Sequence, residues 1–138
     1  MEQKNFEQEE ENLIALMQKE IALMREVLAN MHEEEISLRM NDKHVWTKVL
    51  CQRAEILRLL SPLREKRIEA SKGFKKEVEM DHFEILTMRD QLMALIEKMN
   101  QQNATNESLY KGSERAPQLQ KIPEAKKKSS IATYDGYE

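Results

Sequence analysis

Helix breakers are nearly absent from the first half of this sequence. Glycine and proline number three each, at Gly73, Gly112, Gly136, Pro62, Pro117 and Pro123, so no glycine or proline before position 62 breaks a helix. A single cysteine, Cys51, excludes an internal disulfide framework and fits a reducing cytosol. Aromatic residues make up only 5% of the chain, which suits long helices packed side by side better than a deep globular core. No apolar run is long enough to cross a membrane, and the acidic start MEQKNFEQEEEN lacks the basic character of a signal peptide, so the expected location is cytoplasmic.

Chemistry is scarce as well. The sequence has no glycine-rich loop to cradle a phosphate, and no Ser-His-Asp arrangement can be built. His32, His44 and His82 fall in different predicted helices, and His32-Glu33-Glu34-Glu35 lacks the second histidine that a zinc-protease helix carries four positions on. The glutamate run reads as a solvated helix face, and Cys51 as a small hydrophobe beside an apolar stripe. No catalytic residue, metal ligand or cofactor is assigned, and the chain reads as a non-enzyme. The net charge of −3 gives no global field toward nucleic acid or membrane.

Charge and helical periodicity are abundant. Charged residues are 34% of the chain and hydrophobic ones 40%. Residues 1–40 carry ten acids and four bases, residues 41–80 six acids and ten bases, and residues 81–110 five acids and two bases. Such alternation is what antiparallel neighbours use to pair within one chain. The basic middle segment interleaves its bases with Leu and Ile at helical spacing, which favours pairing over nucleic-acid binding.

The expected fold is all-α: an elongated antiparallel three-helix bundle over residues 5–110, a coiled-coil hairpin plus a third helix, followed by a disordered tail at 111–138. The first helix, about 5–40, carries Leu13, Met17, Ile21, Met24, Leu28 and Met31 as a seam, widened by Leu16, Leu23, Val27 and Leu38. Asn41-Asp42 interrupts it, and Asp42 can cap the second helix. That helix, about 43–71, shows Trp46, Val49, Leu50, Ile56, Leu57, Leu60 and Leu63, with Pro62 expected to kink or split it near Leu60. Trp46 is either a core anchor at the bundle end or a binding hot spot. After a linker at 71–76, the third helix, about 78–103, carries Ile85, Met88, Leu92, Leu95, Ile96 and Met99, flanked by Phe83, Leu86 and Met93. At its far end Asn100, Asn103 and Asn106 recur every third residue. They either hydrogen-bond a partner's backbone or mark fraying, and poor helix propensity favours fraying.

The segment from Lys111 onward has two prolines, two glycines and a lysine triplet, without a sustained stripe. Ile131, Tyr134 and Tyr137 at its end form either a short docking motif or an end without a role. The nine methionines fall largely on or beside the stripes, where they fill a thin seam or provide an adaptable binding face.

Three stretches, spanning roughly residues 10–110, resemble the FlgN family of flagellar and type III secretion export chaperones: LIALMQKEIALMREVLANMHEEE followed by Asn41-Asp42, KVLCQRAEILRLLSPLREKR, and QQNATNESLY with Asn103, Asn106 and Leu109. The resemblance implies a three-helix bundle holding the C-terminal amphipathic segment of a secreted filament or junction-type subunit, so that the subunit does not polymerise early. It points to client binding on the third helix through Leu92, Leu95, Ile96, Met99, Asn103 and Asn106, and to docking on an export-gate protein through Tyr134. Gly112 and Pro117, which end the third helix early, and Pro62 inside the second depart from the family pattern. The alternative is a coiled-coil structural component, such as a secretion-ATPase stalk or a homo-oligomeric scaffold, and a second copy of the chain is a further candidate partner. A chaperone buries its seam within one chain and keeps another face for a client. A stalk uses its seam for self-association.

Overall fold

Apolar side chains alternating every three and four residues become three long helices. The computed structural model describes residues 2–72 and 82–112, and no strand occurs among them. The helices are α1 (Glu2–Arg39), α2 (Lys43–Lys72) and α3 (Phe83–Lys111). At about 1.5 Å per residue α1 is roughly 57 Å long. A helix of that length and polarity persists by packing one face against neighbours.

The chain reverses over residues 40–42. Asn41 takes the left-handed conformation (φ 54°), which asparagine tolerates better than most residues. The Asp42 N–H donates to the Ser37 carbonyl at 2.9 Å and the Asn41 N–H to the Leu38 carbonyl at 3.2 Å. This pair of bonds closes the last turn of α1 in a Schellman arrangement. Asp42 Oδ1 then accepts from the Val45 N–H at 3.1 Å, capping α2.

Contacts fix the directions. Asn30 and Glu34 meet Arg53, while Glu20 meets Arg67, so α2 runs antiparallel to α1. Glu10 meets His82 and Met31 meets Asn106, so α3 runs parallel to α1. The central helix is α1, which packs along both α2 and α3, whereas the backbones of α2 and α3 hardly approach each other. The main core joins Leu13, Met17, Ile21, Met24, Val27 and Met31 of α1 to Leu57 and Leu60 of α2 and to Ile85, Leu92, Leu95, Ile96 and Met99 of α3. Burying each such side chain contributes about 1.5–3 kcal/mol. A smaller cluster near the turn holds Leu38 and Trp46, with Leu50, Leu109 and Tyr110 against them.

Several expectations need correction. Pro62 lies within α2, which continues unbroken to Lys72. It is exposed, so the carbonyl four residues back that lacks its N–H can turn to water. Rather than fraying near Asn103, α3 continues to Lys111, because Asn106 finds buried partners and Leu109 and Tyr110 pack on Trp46. His82 is extended and α3 starts at Phe83; the expected start near Val78 lies outside the described residues, as do residues 113–138. Cys51 is exposed rather than packed beside the stripe. Within α1, Val27 is buried and Leu28 only half-buried.

Candidate protein-binding surface

A seam of alternating four- and three-residue steps runs unbroken along α1 through Leu13, Met17, Glu20, Met24, Val27, Met31, Glu34 and Leu38, all of them buried. Two of the eight are carboxylates, and both are met by arginines from α2. Arg53 Nη2 donates to Glu34 Oε1 at 2.6 Å, and Arg67 Nε donates to Glu20 Oε1 at 2.5 Å. Glu20 and Glu34 stand two heptads apart on α1, and Arg53 and Arg67 stand two heptads apart on α2. An antiparallel pairing in one register therefore satisfies both pairs together. The signal was present in the sequence as charged residues at seam positions. Reading Glu33-Glu34-Glu35 as a uniformly solvated face missed it: Glu33 is exposed, but Glu34 is buried and Glu35 half-buried.

Around Arg53 the pair grows into a polar layer crossing all three helices. Arg53, only 2% exposed, also donates through Nε to Asn30 Oδ1 at 2.8 Å, and Asn30 Nδ2 donates to the Val49 carbonyl at 2.9 Å. From α3, Asn106 Nδ2 donates to Glu34 Oε1 at 2.9 Å and to the Met31 carbonyl at 2.8 Å. Gln102 Nε2 reaches both Asn106 Oδ1 at 3.0 Å and Glu35 Oε1 at 2.6 Å. The hydrogen bonds from Gln102 and Arg39 hold the Glu35 carboxyl below the usual range. At the other level, burial pushes the Glu20 carboxyl up against the pull of Arg67 and Arg64. Glu20 Oε2, Arg53 Nη1 and Trp46 Nε1 are buried without hydrogen-bond partners among the described residues.

The residues expected to hold a client are not an open surface as the helices stand. Leu92, Leu95, Ile96 and Met99 pack in the core against α1, Asn106 is committed to the polar layer, and Asn103 is half-buried. A client could reach Leu92, Leu95 and Met99 only if α3 left α1. Tyr134, with Ile131 and Tyr137, lies outside the described residues. Trp46 is buried and stacks on Tyr110 (ring centroids 6.4 Å, planes 22° apart), so it anchors the bundle end.

Open apolar surface lies elsewhere. Ile36, Met40, Val45, Leu59, Phe83 and Met93 are exposed. A shallow groove of about 690 Å³ runs along the outer flank of α3 past Met93, Ala94, Ile96, Glu97, Asn100, Gln101 and Ala104. It touches the expected client stripe at one residue, Ile96. Among the described residues no group of three or more His, Cys, Asp or Glu side chains could hold a metal ion, and no helix is long and apolar enough to cross a membrane. No protein-family model, curated protein or solved structure matches this chain.

Proposed function

We propose that this chain is a helical export chaperone of the flagellar or type III secretion kind, acting in the cytoplasm on the C-terminal amphipathic segment of a secreted structural subunit. The observation that supports this reading is how the α1 seam is used. Both of its flanks are covered by the chain's own α2 and α3, while Met93 and its neighbours leave an apolar groove open on α3. A stalk or scaffold would instead leave its seam for other copies. In this reading the client helix lies along the outer flank of α3, with Met93 and Ile96 as apolar contacts and Asn100 beside them, in the helix-in-groove manner. Tyr134 in the tail docks on the export gate.

The test is capture from the native host cytosol, read by mass spectrometry. The full chain should retain a secreted filament-type subunit and an export-gate protein, and a chain ending at Lys111 should retain only the subunit. M93E combined with A104E, at outward-facing positions, should weaken subunit capture at least about tenfold without unfolding the bundle. Capture untouched by that pair would remove the α3 flank as the client surface. Recovery of only the chain itself, or of an ATPase subunit, would replace the chaperone with a structural component.

A further inference from the structure

A second groove, separate from the α3 flank, opens between α1 and α3 toward the His82 end. It holds about 370 Å³, with Ile21 and Met88 as its apolar base. The two helices run in the same direction, with Glu10 beside His82 and Met31 beside Asn106. Arg25 therefore stands toward one end of the groove, and Phe83 and Glu84 toward the other. Phe83 is 81% exposed, the most exposed of the large hydrophobic side chains among the described residues. Arg25 and Glu84 are exposed, and neither takes part in an ion pair among the described residues.

We propose that this groove is the contact surface of a two-fold symmetric dimer of the chain, in which Phe83 of each copy seats in the groove of the other. A two-fold contact brings a patch against itself in reversed direction. The positive end of one groove then meets the negative end of the other, so Arg25 faces Glu84 of the second copy, and the same pair forms again across the axis. Phe83 comes to lie over Ile21 and beside the Arg25 guanidinium of the second copy, where aromatic and cation attract. Opposite charges at opposite ends, with an aromatic knob beside one of them, are what a copy of this chain supplies. The contact leaves the buried seam undisturbed, since every group it uses is already on the surface or lines the groove. Its few lining residues place it in the small, reversible class of interface. The proposal does not rest on the chaperone reading.

Sedimentation velocity of the full chain at rising concentration, up to about 0.5 mM, measures the association. The wild-type chain should shift reversibly from monomer toward dimer. R25E and E84R should each weaken association at least about tenfold, because each sets like charges face to face twice. F83S should weaken it by a similar factor. Mixing R25E with E84R should restore association, since the mixed dimer regains two opposite-charge pairs, and the R25E/E84R double variant should do the same with itself. Circular dichroism should be unchanged in all of them, because the altered side chains are exposed. A wild-type chain that stays monomeric throughout, or a dimer that ignores both reversals, overturns the proposal. So does a mixture that fails to associate.

Discussion

The two flanks of α1 are covered by different physics. Toward α2 the contact is built on charge: two carboxylates in the α1 seam meet two arginines, at matched spacing. Toward α3 it is built on apolar packing and neutral amides, with Asn106 and Gln102 the α3 donors in the polar layer. Segment charges explain the division. Residues 1–40 are strongly acidic and residues 41–80 basic, so α1 and α2 attract, whereas residues 81–110 are acidic too and gain nothing by charge from α1. An amide donor lets α3 satisfy Glu34 without bringing a formal charge of its own. The comparison teaches that one helix can hold its two neighbours by different means: two Glu–Arg pairs at matched spacing fit one antiparallel alignment of the hairpin, while α3 meets α1 through apolar side chains and amide donors.

The largest expected effect comes from breaking the charged flank at Arg53. R53M strands Glu34 and Asn30 in the interior, and removing one member of a buried pair costs about 3–5 kcal/mol. Urea unfolding followed by circular dichroism should show this loss. The other pair offers the contrast: E20M/R67M removes both charges together, so its stability should be nearer to wild type than that of R53M. If the pairs specify register, that double variant keeps its helicity and loses specificity instead, which disulfide trapping of alternative α1–α2 alignments would detect. R53M as stable as wild type would mean the layer does not hold the hairpin.

The neutral flank should break more gently and more locally. N106A leaves the Met31 carbonyl without its side-chain donor and takes one of the donors from Glu34, at about 1–3 kcal/mol. Hydrogen exchange should quicken in the last turns of α3, around residues 103–111, and stay slow in the α1–α2 hairpin. The single tryptophan provides a second readout, because Trp46 stacks on Tyr110 and its emission should move to the red as that end of α3 loosens. Uniform acceleration across all three helices would show that α3 and the hairpin unfold as one unit.

Much of this fold could be read from periodicity. Leu13, Met17, Ile21, Met24 and Met31 were legible as a seam because apolar side chains at three- and four-residue steps have one physical use in a helix. Leu57, Leu60, Leu92 and Met99 were legible for the same reason. What was not legible were the polar members of the core, since a hydrophobic pattern passes over a buried Glu, Arg or Asn. Glu20, Glu34, Arg53 and Arg67 occupy seam positions and could have been found by asking which charges interrupt the pattern. Asn106 was harder, because low helix propensity and a buried partner pull in opposite directions and only tertiary contact decides between them. The candidate client stripe meets a related limit of the pattern: periodicity marks a face as buried without saying whether its cover is the chain itself or a guest.

The smallest expected effect sharpens the comparison through pH. Burial raises the Glu20 carboxyl above its usual value of 4.5, more than Arg67 and Arg64 lower it. The folded chain therefore takes up that proton before the unfolded chain does, so the contribution of Glu20 to stability grows as pH falls from neutral toward 4.5 and is lost again as pH rises through its folded value. Glu35 has the opposite sign. Gln102 and Arg39 hold its carboxyl below 4.5, so its contribution is present above that pH and disappears as pH falls through its folded value. Glu20 faces α2, whereas Glu35 is bonded by Gln102 of α3, so acidification should tighten one flank of α1 and loosen the other. E20Q should flatten the dependence of the urea midpoint between neutral pH and about 4.5 while leaving the loss below it in place. Q102A should remove part of the loss below 4.5 and leave the upper window alone. Parallel pH profiles for wild type and E20Q would mean that the buried carboxyl does not titrate separately from its arginine, and that the two flanks do not differ in this respect.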